Sequence, residues 1–131
     1  YGRYMDDFYL IIKDKEYAKY CLDIIDKFVQ TLKPSLNKKT QLIPFKNGVK
    51  FCGFHTYVTY DGKVIRKLKN ENKRSNKKKF KKMVKLVKEG RLSKEKFYES
   101  YNSWKNHISH GNCKKLGYEM NKYIDELFQN G

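Results

Sequence analysis

Tyr4-Met5-Asp6-Asp7, followed by the apolar run Phe8-Tyr9-Leu10-Ile11-Ile12, is the stretch from which the fold of this chain can be worked out. Neighbouring side chains of a regular strand point to opposite faces, so two consecutive aspartates can serve one ion only where the chain bends. We therefore predict a hairpin in which residues 1–5 form one strand, the aspartates form the tip and residues 8–13 return. The pair is then either an acidic turn or an exposed site for a hard cation such as Mg²⁺.

Composition limits the chain to a small basic protein. It has 131 residues, of which 39% are hydrophobic and 15% aromatic, enough for one folded core or two small ones. The net charge of +16 and the pI near 9.7 predict a polyanionic partner, either nucleic acid or an anionic membrane surface. No apolar run approaches the roughly 20 residues needed to cross a bilayer.

The three cysteines, Cys21, Cys52 and Cys113, are widely spaced and include no Cys-x-x-Cys pair. This pattern is typical of reduced thiols, and we expect a cytoplasmic protein. The first residue is Tyr1 rather than an initiator Met, so we expect the chain to be a piece of a longer protein.

The residues after the hairpin predict one long helix. Apolar side chains recur at helical spacing between Ala18 and Leu32, which indicates an amphipathic helix over residues 15–33. Asp14 suits the N-cap, and Pro34 disfavours helical geometry at the residue before it. A strand followed by a helix packed on a sheet face predicts an α+β fold.

Further strands are predicted between residues 40 and 66. Asn47-Gly48 between the runs 40–45 and 49–54 is typical of a hairpin turn, with Pro44 placing the first run at an edge or bulge. A second hairpin is predicted from strands 54–60 and 63–66 joined at Asp61-Gly62.

From residue 67 onward the sequence predicts three amphipathic helices. The first is strongly basic but carries Phe80, Met83, Val84 and Val87 at helical spacing, and Gly90 ends it. Ser93 caps a second helix, and a third follows Gly111-Asn112. Their apolar stripes are Phe97, Tyr101, Trp104 and Ile108 in the second helix, and Leu116, Met120, Tyr123, Ile124, Leu127 and Phe128 in the third. Short connections predict a bundle in which these stripes, including Trp104, form the core.

The order of these features resembles the second half of the palm and the thumb of a reverse transcriptase, most closely the bacterial retroelement enzymes of the group II intron, retron and diversity-generating types. The resemblance covers nearly the whole chain and is strongest at residues 3–8 and at Phe51-Cys52-Gly53-Phe54. The usual motif at the second place is Phe-Leu-Gly-Phe, from which Cys52 departs. The resemblance implies a palm portion over residues 1–68, a helical thumb over 69–131 and the activity of an RNA-directed DNA polymerase.

The resemblance implies roles for the first hairpin. Nucleotidyl transfer uses two divalent ions roughly 4 Å apart, and carboxylates hold them. Asp6 would be the main Mg²⁺ ligand and catalytic residue from this hairpin, with Asp7 supporting it. Tyr4 and Met5 would lie near the primer terminus and template, although Tyr4 is equally well explained as an ordinary strand aromatic.

The resemblance also implies contacts elsewhere. Phe51–Phe54 would form the primer grip, with Cys52 and Gly53 as nucleic-acid contacts, or else a bulged core strand. Lys39 would lie near the incoming deoxynucleoside triphosphate and neutralise pyrophosphate, or else be a solvated surface lysine.

The basic helix resembles the thumb helix that lies along the template–primer duplex. Neutralised phosphates would release counterions and make binding fall steeply with salt. The side chains expected to make these contacts are Arg74, Lys77, Lys78, Lys81, Lys82 and Lys85. A peripheral membrane role is the weaker interpretation, because the helix shows no aromatic insertion face.

His107, His110 and Cys113 have a spacing that suggests metal ligation. No suitable fourth ligand lies near them in sequence, and Gly111-Asn112 breaks the helix between them. We therefore predict helix-terminus and loop roles for these three residues.

The chain is expected to be only part of a polymerase of this class, and two expectations follow. A polymerase of this class takes a further metal-binding aspartate from an earlier palm strand, so we expect the chain alone not to polymerise. The alternative is a non-catalytic RNA- or DNA-binding module in which Asp6 and Asp7 only form a turn. We also expect the first hairpin to expose an apolar edge that favours a non-native dimer.

Overall fold

The computed structural model describes residues 1–130 and contains, within them, five short strands and four helices in an α+β arrangement. The strands form two sheets, β1-β2 and β3-β4-β5. This layout of small antiparallel sheets, one long helix and a terminal group of three helices confirms the predicted fold class. The elements are β1 (Gly2–Tyr4), β2 (Asp7–Tyr9), α1 (Lys15–Thr31), β3 (Val49–Phe51), β4 (Phe54–Val58), β5 (Val64–Leu68), α2 (Asn70–Lys88), α3 (Lys94–Ser109) and α4 (Lys114–Gln129).

The chain divides into two compact units, Tyr1–Val49 and Lys50–Gly131. The predicted palm and thumb portions divide later, between residues 68 and 69. The packing boundary lies earlier because Phe54 and Leu68, at the paired ends of β4 and β5, belong to the same core as the helices. The functional labels for 1–68 and 69–131 stay predictions, and Gly131 lies outside the described residues.

The first unit begins with a hairpin that is shorter than predicted. Gly2 pairs with Tyr9 and Tyr4 with Asp7, so each strand has only three residues. The predicted strand over residues 8–13 is wrong beyond Tyr9. Residues 10–13 have no pairing strand within the described chain, and their apolar side chains therefore do not continue a sheet.

Helix α1 forms as predicted, and the Asp14 N-cap is confirmed. The Asp14 carboxylate accepts a hydrogen bond from the Tyr17 N–H at 2.6 Å. The helix ends at Thr31, and Lys33, just before Pro34, has a φ of 70°. Its predicted packing on a sheet face is wrong, because none of its residues is buried. Two three-residue strands offer too little surface to cover a 17-residue helix.

The hairpin predicted around Asn47-Gly48 is wrong. Residues 40–44 form no strand, and Phe45–Asn47 is a 3₁₀ turn in which the Gly48 N–H donates to the Phe45 carbonyl at 3.0 Å. Asn47 and Gly48 do end a turn, but the segment before it contains Pro44, which cannot donate to a strand ladder. Strand β3 pairs with the strand after it instead.

The turn between β3 and β4 consists of Cys52 and Gly53, with φ values of 49° and 81°. Two consecutive positive φ angles are typical of the type I′ turn, whose twist matches that of paired strands. The predicted strand over residues 49–54 is therefore wrong, and so is the bulged-strand interpretation of Phe51–Phe54. Phe51 is the last residue of β3 and Phe54 is the first residue of β4, so the two aromatic residues flank a tight turn.

The hairpin around Asp61-Gly62 is confirmed. Strands β4 and β5 pair from Phe54 and Leu68 to Val58 and Val64. The Thr59 N–H donates to the Lys63 carbonyl at 2.8 Å and closes the loop.

Helices α2, α3 and α4 form the predicted bundle. Helix α2 ends in a Schellman motif, in which the N–H groups of Gly90 and Arg91 donate to Val87 and Leu86. Ser93 Oγ accepts from the Lys96 N–H, as its predicted capping role requires. The predicted stripes supply most of the core, and Phe54, Leu68 and Cys113 join it from outside them. The core consists of Phe54, Leu68, Phe80, Val84, Phe97, Tyr101, Trp104, Ile108, Cys113, Met120 and Ile124.

Aromatic rings fill the centre of this core. Phe80 is fully buried and meets the rings of Phe97, Tyr101 and Trp104 edge-on, at centroid distances of 6.2, 5.2 and 5.6 Å. Edge-to-face contacts at these distances are favourable beyond the area they bury. The prediction that Trp104 belongs to the core is confirmed.

Candidate metal hairpin and nucleic-acid surface

The Tyr4–Asp7 hairpin has a two-residue turn made of Met5 and Asp6. Met5 has a φ of 53°, and the Arg3 Nε–H donates to its carbonyl at 2.8 Å. Two-residue hairpin turns require a positive φ at their first central residue, and a non-glycine residue there costs about 1–3 kcal/mol. Tyr4 and Met5 are exposed by 60% and 73% of their surface. Their side chains are thus accessible to a ligand, and their predicted contacts with nucleic acid stay predictions.

Asp6 and Asp7 are both exposed, but they occupy different positions in the hairpin. Asp6 lies in the turn, whereas Asp7 is the first residue of β2 and pairs with Tyr4. The two carboxylates thus lie at one end of one hairpin, although only Asp6 is at its tip. Across residues 1–130 there is no group of three or more His, Cys, Asp or Glu side chains suited to a metal ion.

This donor set fits part of a magnesium site. Mg²⁺ is usually held by one or two carboxylates, with waters and substrate phosphates completing its coordination. The two adjacent exposed carboxylates of Asp6 and Asp7 are as many protein ligands as one such ion needs, and their binding of Mg²⁺ stays a prediction. A second ion bound close to the first requires another acidic group.

Lys39 lies in the loop after α1. Its backbone N–H donates to Asn37 Oδ1 at 2.9 Å, and the Thr40 N–H donates to the Asn37 carbonyl at 2.8 Å. The Lys39 side chain is exposed and is not ion-paired with Asp6 or Asp7 in the described part of the chain. The structure does not bring these three residues together by direct contact, and the role of Lys39 stays a prediction.

The Cys52-Gly53 turn is attached to the start of α2. The Gly53 carbonyl accepts from the Lys69 N–H at 3.1 Å and from Asn72 Nδ2 at 3.3 Å. A Cβ at Gly53 would lie 2.9 Å from Asn72 Nδ2 and 3.5 Å from His107 Nε2. The space that a side chain would take is therefore already lined by the chain's own polar groups. Cys52 is an exposed free thiol beside them.

Helix α2 carries nine Lys or Arg side chains against one acidic residue, Glu71. Four of them follow each other at spacings of four, three and four residues, which places them along one exposed side over about 16 Å. Lys82 lies next to this row. We call the row the basic stripe; it consists of Arg74, Lys78, Lys81 and Lys85.

Two of the predicted contacts have protein partners as well. The Lys77 ammonium lies 4.3 Å from the centroid of the Tyr123 ring, in a cation–π contact with α4. Lys85 Nζ lies 3.8 Å from a Glu89 carboxylate oxygen, with both side chains exposed. The contact with Tyr123 draws the charge of Lys77 toward the bundle, whereas the exposed pair at Lys85 is only a weak constraint.

His107, His110 and Cys113 take the helix-terminus and loop positions that were predicted for them. His107 lies in the last turn of α3 with its ring 4.9 Å from that of Phe54, and His110 is the C-cap of the same helix. Cys113 is buried at the N-cap of α4.

The sequence did not indicate that Asn72 and His107 border the Cys52-Gly53 turn, or that Asn112 binds strand β5. Asn72 and His107 border the Cys52-Gly53 turn. Asn112 accepts a hydrogen bond from the Arg66 N–H at 2.9 Å, 46 residues away in the chain. The partners in these contacts are far apart in sequence, so no local pattern could reveal them. The one feature that pointed to this region was the position of Asn72 at the start of a basic helix.

No protein-family model, curated protein or solved structure matches the chain. Within residues 1–130, no helix is both long enough and apolar enough to pass through a bilayer.

Proposed function

We propose that this chain is the palm-and-thumb portion of an RNA-directed DNA polymerase of the bacterial retroelement type. The observation that carries the proposal is the Tyr4–Asp7 hairpin. It combines two exposed neighbouring carboxylates with Met5 in the left-handed region and an exposed Tyr4. A two-residue hairpin turn itself requires a positive φ such as that of Met5, so the support for a metal site is the pair of exposed carboxylates at one end of the hairpin.

In this proposal Asp6 and Asp7 hold Mg²⁺ through oxygen atoms, with Asp6 as the principal ligand. When bound, a pair of such ions activates the primer 3′-hydroxyl and stabilises the leaving pyrophosphate. The chain's own part is to hold the two carboxylates at the end of a short hairpin. Lys39 is proposed to approach the triphosphate of the incoming deoxynucleotide.

The unit over residues 50–131 is proposed to bind the template–primer. Its support is the basic stripe on α2, together with Lys82, which offers a row of cations spaced for the phosphates of a nucleic-acid backbone. Cys52 lies in the turn that is hydrogen-bonded to the start of the same helix. A duplex on α2 would therefore run beside the predicted primer grip.

Metal binding can be tested without activity. Mn²⁺ is added to isotope-labelled chain, and the paramagnetic broadening of backbone amide signals is followed by NMR. We expect broadening centred on residues 4–8, and we expect Asp6→Asn together with Asp7→Asn to abolish it. The matched control is Asp23→Asn, since Asp23 is an exposed aspartate already paired with Lys27 at 2.6 Å. Equal broadening in the double variant would exclude the hairpin as the metal site.

Polymerisation requires a further acidic group, so we expect the chain alone to be inactive in primer extension. In a longer polymerase that contains this segment, Asp6→Ala should abolish extension while leaving template–primer affinity intact. Metal-dependent extension by residues 1–131 alone would contradict the proposed division of the site.

A non-catalytic RNA- or DNA-binding module is the second candidate. One observation favours it: every buried core residue among residues 1–130 lies between Phe54 and Ile124, in the part of the chain that carries the basic helix. The two functions differ in one result. If Asp6→Ala and Asp7→Ala leave both the extension activity and the nucleic-acid affinity of the longer protein unchanged, the result favours the binding module.

The first hairpin is also proposed to support a non-native dimer of the isolated chain, because no further strand pairs with the outer edge of either strand within residues 1–130 and exposed apolar residues follow the hairpin. Light scattering that finds only monomer at high concentration would contradict this.

A further inference from the structure

Beyond the predicted contacts, one exposed polar side chain lies against the Cys52-Gly53 turn. We propose that His107 is an additional nucleic-acid contact, which donates a hydrogen bond to a backbone phosphate at the edge of the Cys52-Gly53 turn. This inference rests on the proposed template–primer binding by residues 50–131. It adds His107 to the proposed nucleic-acid contacts, although the sequence predicted only a helix-terminus role for this residue.

The imidazole of His107 lies between Phe54 and the Cys52-Gly53 turn. The His107 ring packs on Phe54, with centroids 4.9 Å apart and planes tilted by 33°. Phe54 is buried, so it holds the ring on a rigid part of the core. The Nε2 edge of His107 lies 3.5 Å from the position that a Cβ of Gly53 would occupy. An exposed imidazole held in this way presents one nitrogen at the turn and is pre-organised for a ligand.

Gly53 allows two polar side chains to approach the turn. Its positive φ favours glycine, and its missing side chain leaves room for Asn72 Nδ2 and His107 Nε2. A nucleic-acid backbone that approaches the turn would thus meet these polar groups and not bare backbone. Asn72 already donates to the Gly53 carbonyl, which leaves the imidazole as the better candidate to donate to a phosphate.

The basic surroundings favour an anion at this place. Lys69 donates its backbone N–H to the Gly53 carbonyl, and Lys73 and Arg74 follow in the first turns of α2. The phosphates attracted by these cations would pass close to the turn. A hydrogen bond from imidazole would then add to the affinity without releasing a further counterion while the ring is neutral.

The test is the binding of the full chain to a fluorescently labelled RNA–DNA hybrid duplex, measured by anisotropy at several salt concentrations and about pH 8. His107→Phe keeps an aromatic ring against Phe54 but removes the donor. We expect it to weaken binding by roughly threefold to tenfold. The slope of log affinity against log salt should stay unchanged. His107→Gln, which restores an N–H donor, should recover most of the affinity.

His110→Phe is the matched control, because His110 lies at the end of the same helix but outside the turn contacts. Equal affinities for wild type and His107→Phe would overturn the proposal, and so would equal losses in the His107 and His110 variants. Failure of the wild-type chain to bind any duplex would instead refute the proposed function itself.

A footprint without substitution covers the case in which His107→Phe fails to fold. Diethylpyrocarbonate acylates accessible imidazole nitrogens, and mass spectrometry locates the product. With added acetylhistidine as an internal standard, we expect the hybrid duplex to slow the modification of His107. Modification of His107 at the same rate with and without bound duplex would overturn the proposal.

Discussion

Asn112 holds Arg66 by two hydrogen bonds. The Arg66 N–H donates to Asn112 Oδ1 at 2.9 Å, and the Asn112 N–H donates to the Arg66 carbonyl at 2.7 Å. Arg66 also donates from Nη1 to the His110 carbonyl at 3.2 Å. Strand β5 is at the edge of its sheet, and the α3–α4 loop thus takes the place of a further strand. The sheet that carries the Cys52-Gly53 turn is attached to the helices at this edge.

Replacing Asn112 should measure the strength of this attachment. Asn112→Ala removes the acceptor of the Arg66 N–H, and we expect a loss of about 1 kcal/mol in the free energy of unfolding. For the compact unit over residues 50–131, which contains Asn112, that loss lowers the melting temperature by about 4–8 °C. Circular dichroism measures this change. Asn102→Ala, at an exposed position of α3, should leave the melting temperature unchanged or slightly higher. Equal melting temperatures of the Asn112→Ala variant and wild type would contradict the role given to this hydrogen bond.

Two glycines should respond to alanine with opposite signs. A Cβ at Gly111 would lie 2.7 Å from Phe54 Cε1 and 2.9 Å from the Arg66 carbonyl oxygen, so Gly111→Ala must displace core and backbone atoms. We expect a destabilisation of about 1–3 kcal/mol. A Cβ at Gly117, inside α4, would meet only Ile108 Cδ1 at 3.5 Å. Gly117→Ala should therefore stabilise the chain by about 0.5–1 kcal/mol.

Urea unfolding of both glycine variants measures these changes. The Gly117→Ala variant controls for the general effect of alanine on the unfolded chain. Stabilisation by Gly111→Ala would show that the α3–α4 loop does not pack on β4 and β5 as described.

The helices were predictable because their signals are local. Stripes such as Phe97, Tyr101 and Trp104 have the helical period, and Asp14 and Ser93 are ordinary capping residues. The partner of β3 was not predictable in the same way. Asn47-Gly48 is the stronger turn sequence, whereas Cys rarely has a positive φ, and the pairing of β3 with β4 prevailed although it requires that conformation at Cys52.

The candidate site was predictable only in part. Adjacent acids and a basic helix can be found in the sequence, so Asp6, Asp7 and the basic stripe were identified as candidates. The residues around the turn were not, since Asn72 and His107 come near Gly53 only after three separate elements have packed. The size of the first hairpin was also overestimated, because an apolar run predicts a strand but supplies no neighbouring strand to pair with it.

Tyr101 should make the stability of the bundle depend on alkaline pH. Burial, the Asp125 carboxylate and Tyr98 together raise the pKa of Tyr101 to about 12, from its ordinary value of 10.0. The unfolded chain therefore loses this proton at lower pH than the folded chain does. The stability from neutral Tyr101 is fully present below pH 10 and falls as the pH rises toward 12.

Spectrophotometric titration of tyrosinate, together with unfolding at each pH, tests this prediction. Tyr101→Phe removes the hydroxyl that donates to Asn121 Oδ1 at 2.6 Å, and it should remove one late-titrating tyrosine. Tyr118→Phe, at an exposed position, is the control for the loss of a tyrosine hydroxyl. An unchanged number of late-titrating tyrosines in the Tyr101→Phe variant would contradict the assignment.

The two neighbouring lysines of α2, Lys77 and Lys78, should have separable roles. Lys78 belongs to the basic stripe, whereas the Lys77 ammonium lies over the Tyr123 ring. If Lys78 neutralises one phosphate of a bound duplex, Lys78→Ala should reduce the salt slope of binding by about 0.9 and leave the melting temperature unchanged. Lys77→Ala should change the slope less and lower the stability by about 0.5–1 kcal/mol, because it removes a cation–π contact.

Binding isotherms of both variants across a range of salt concentrations, with thermal unfolding in parallel, measure the two effects. Lys27→Ala is the control for loss of a positive charge, because Lys27 lies on α1 and is paired with Asp23. If Lys27→Ala reduces the slope as much as Lys78→Ala does, the chain binds nucleic acid through its overall charge. The geometry of α2 would then have no particular role in binding, and the basic stripe would not be the site.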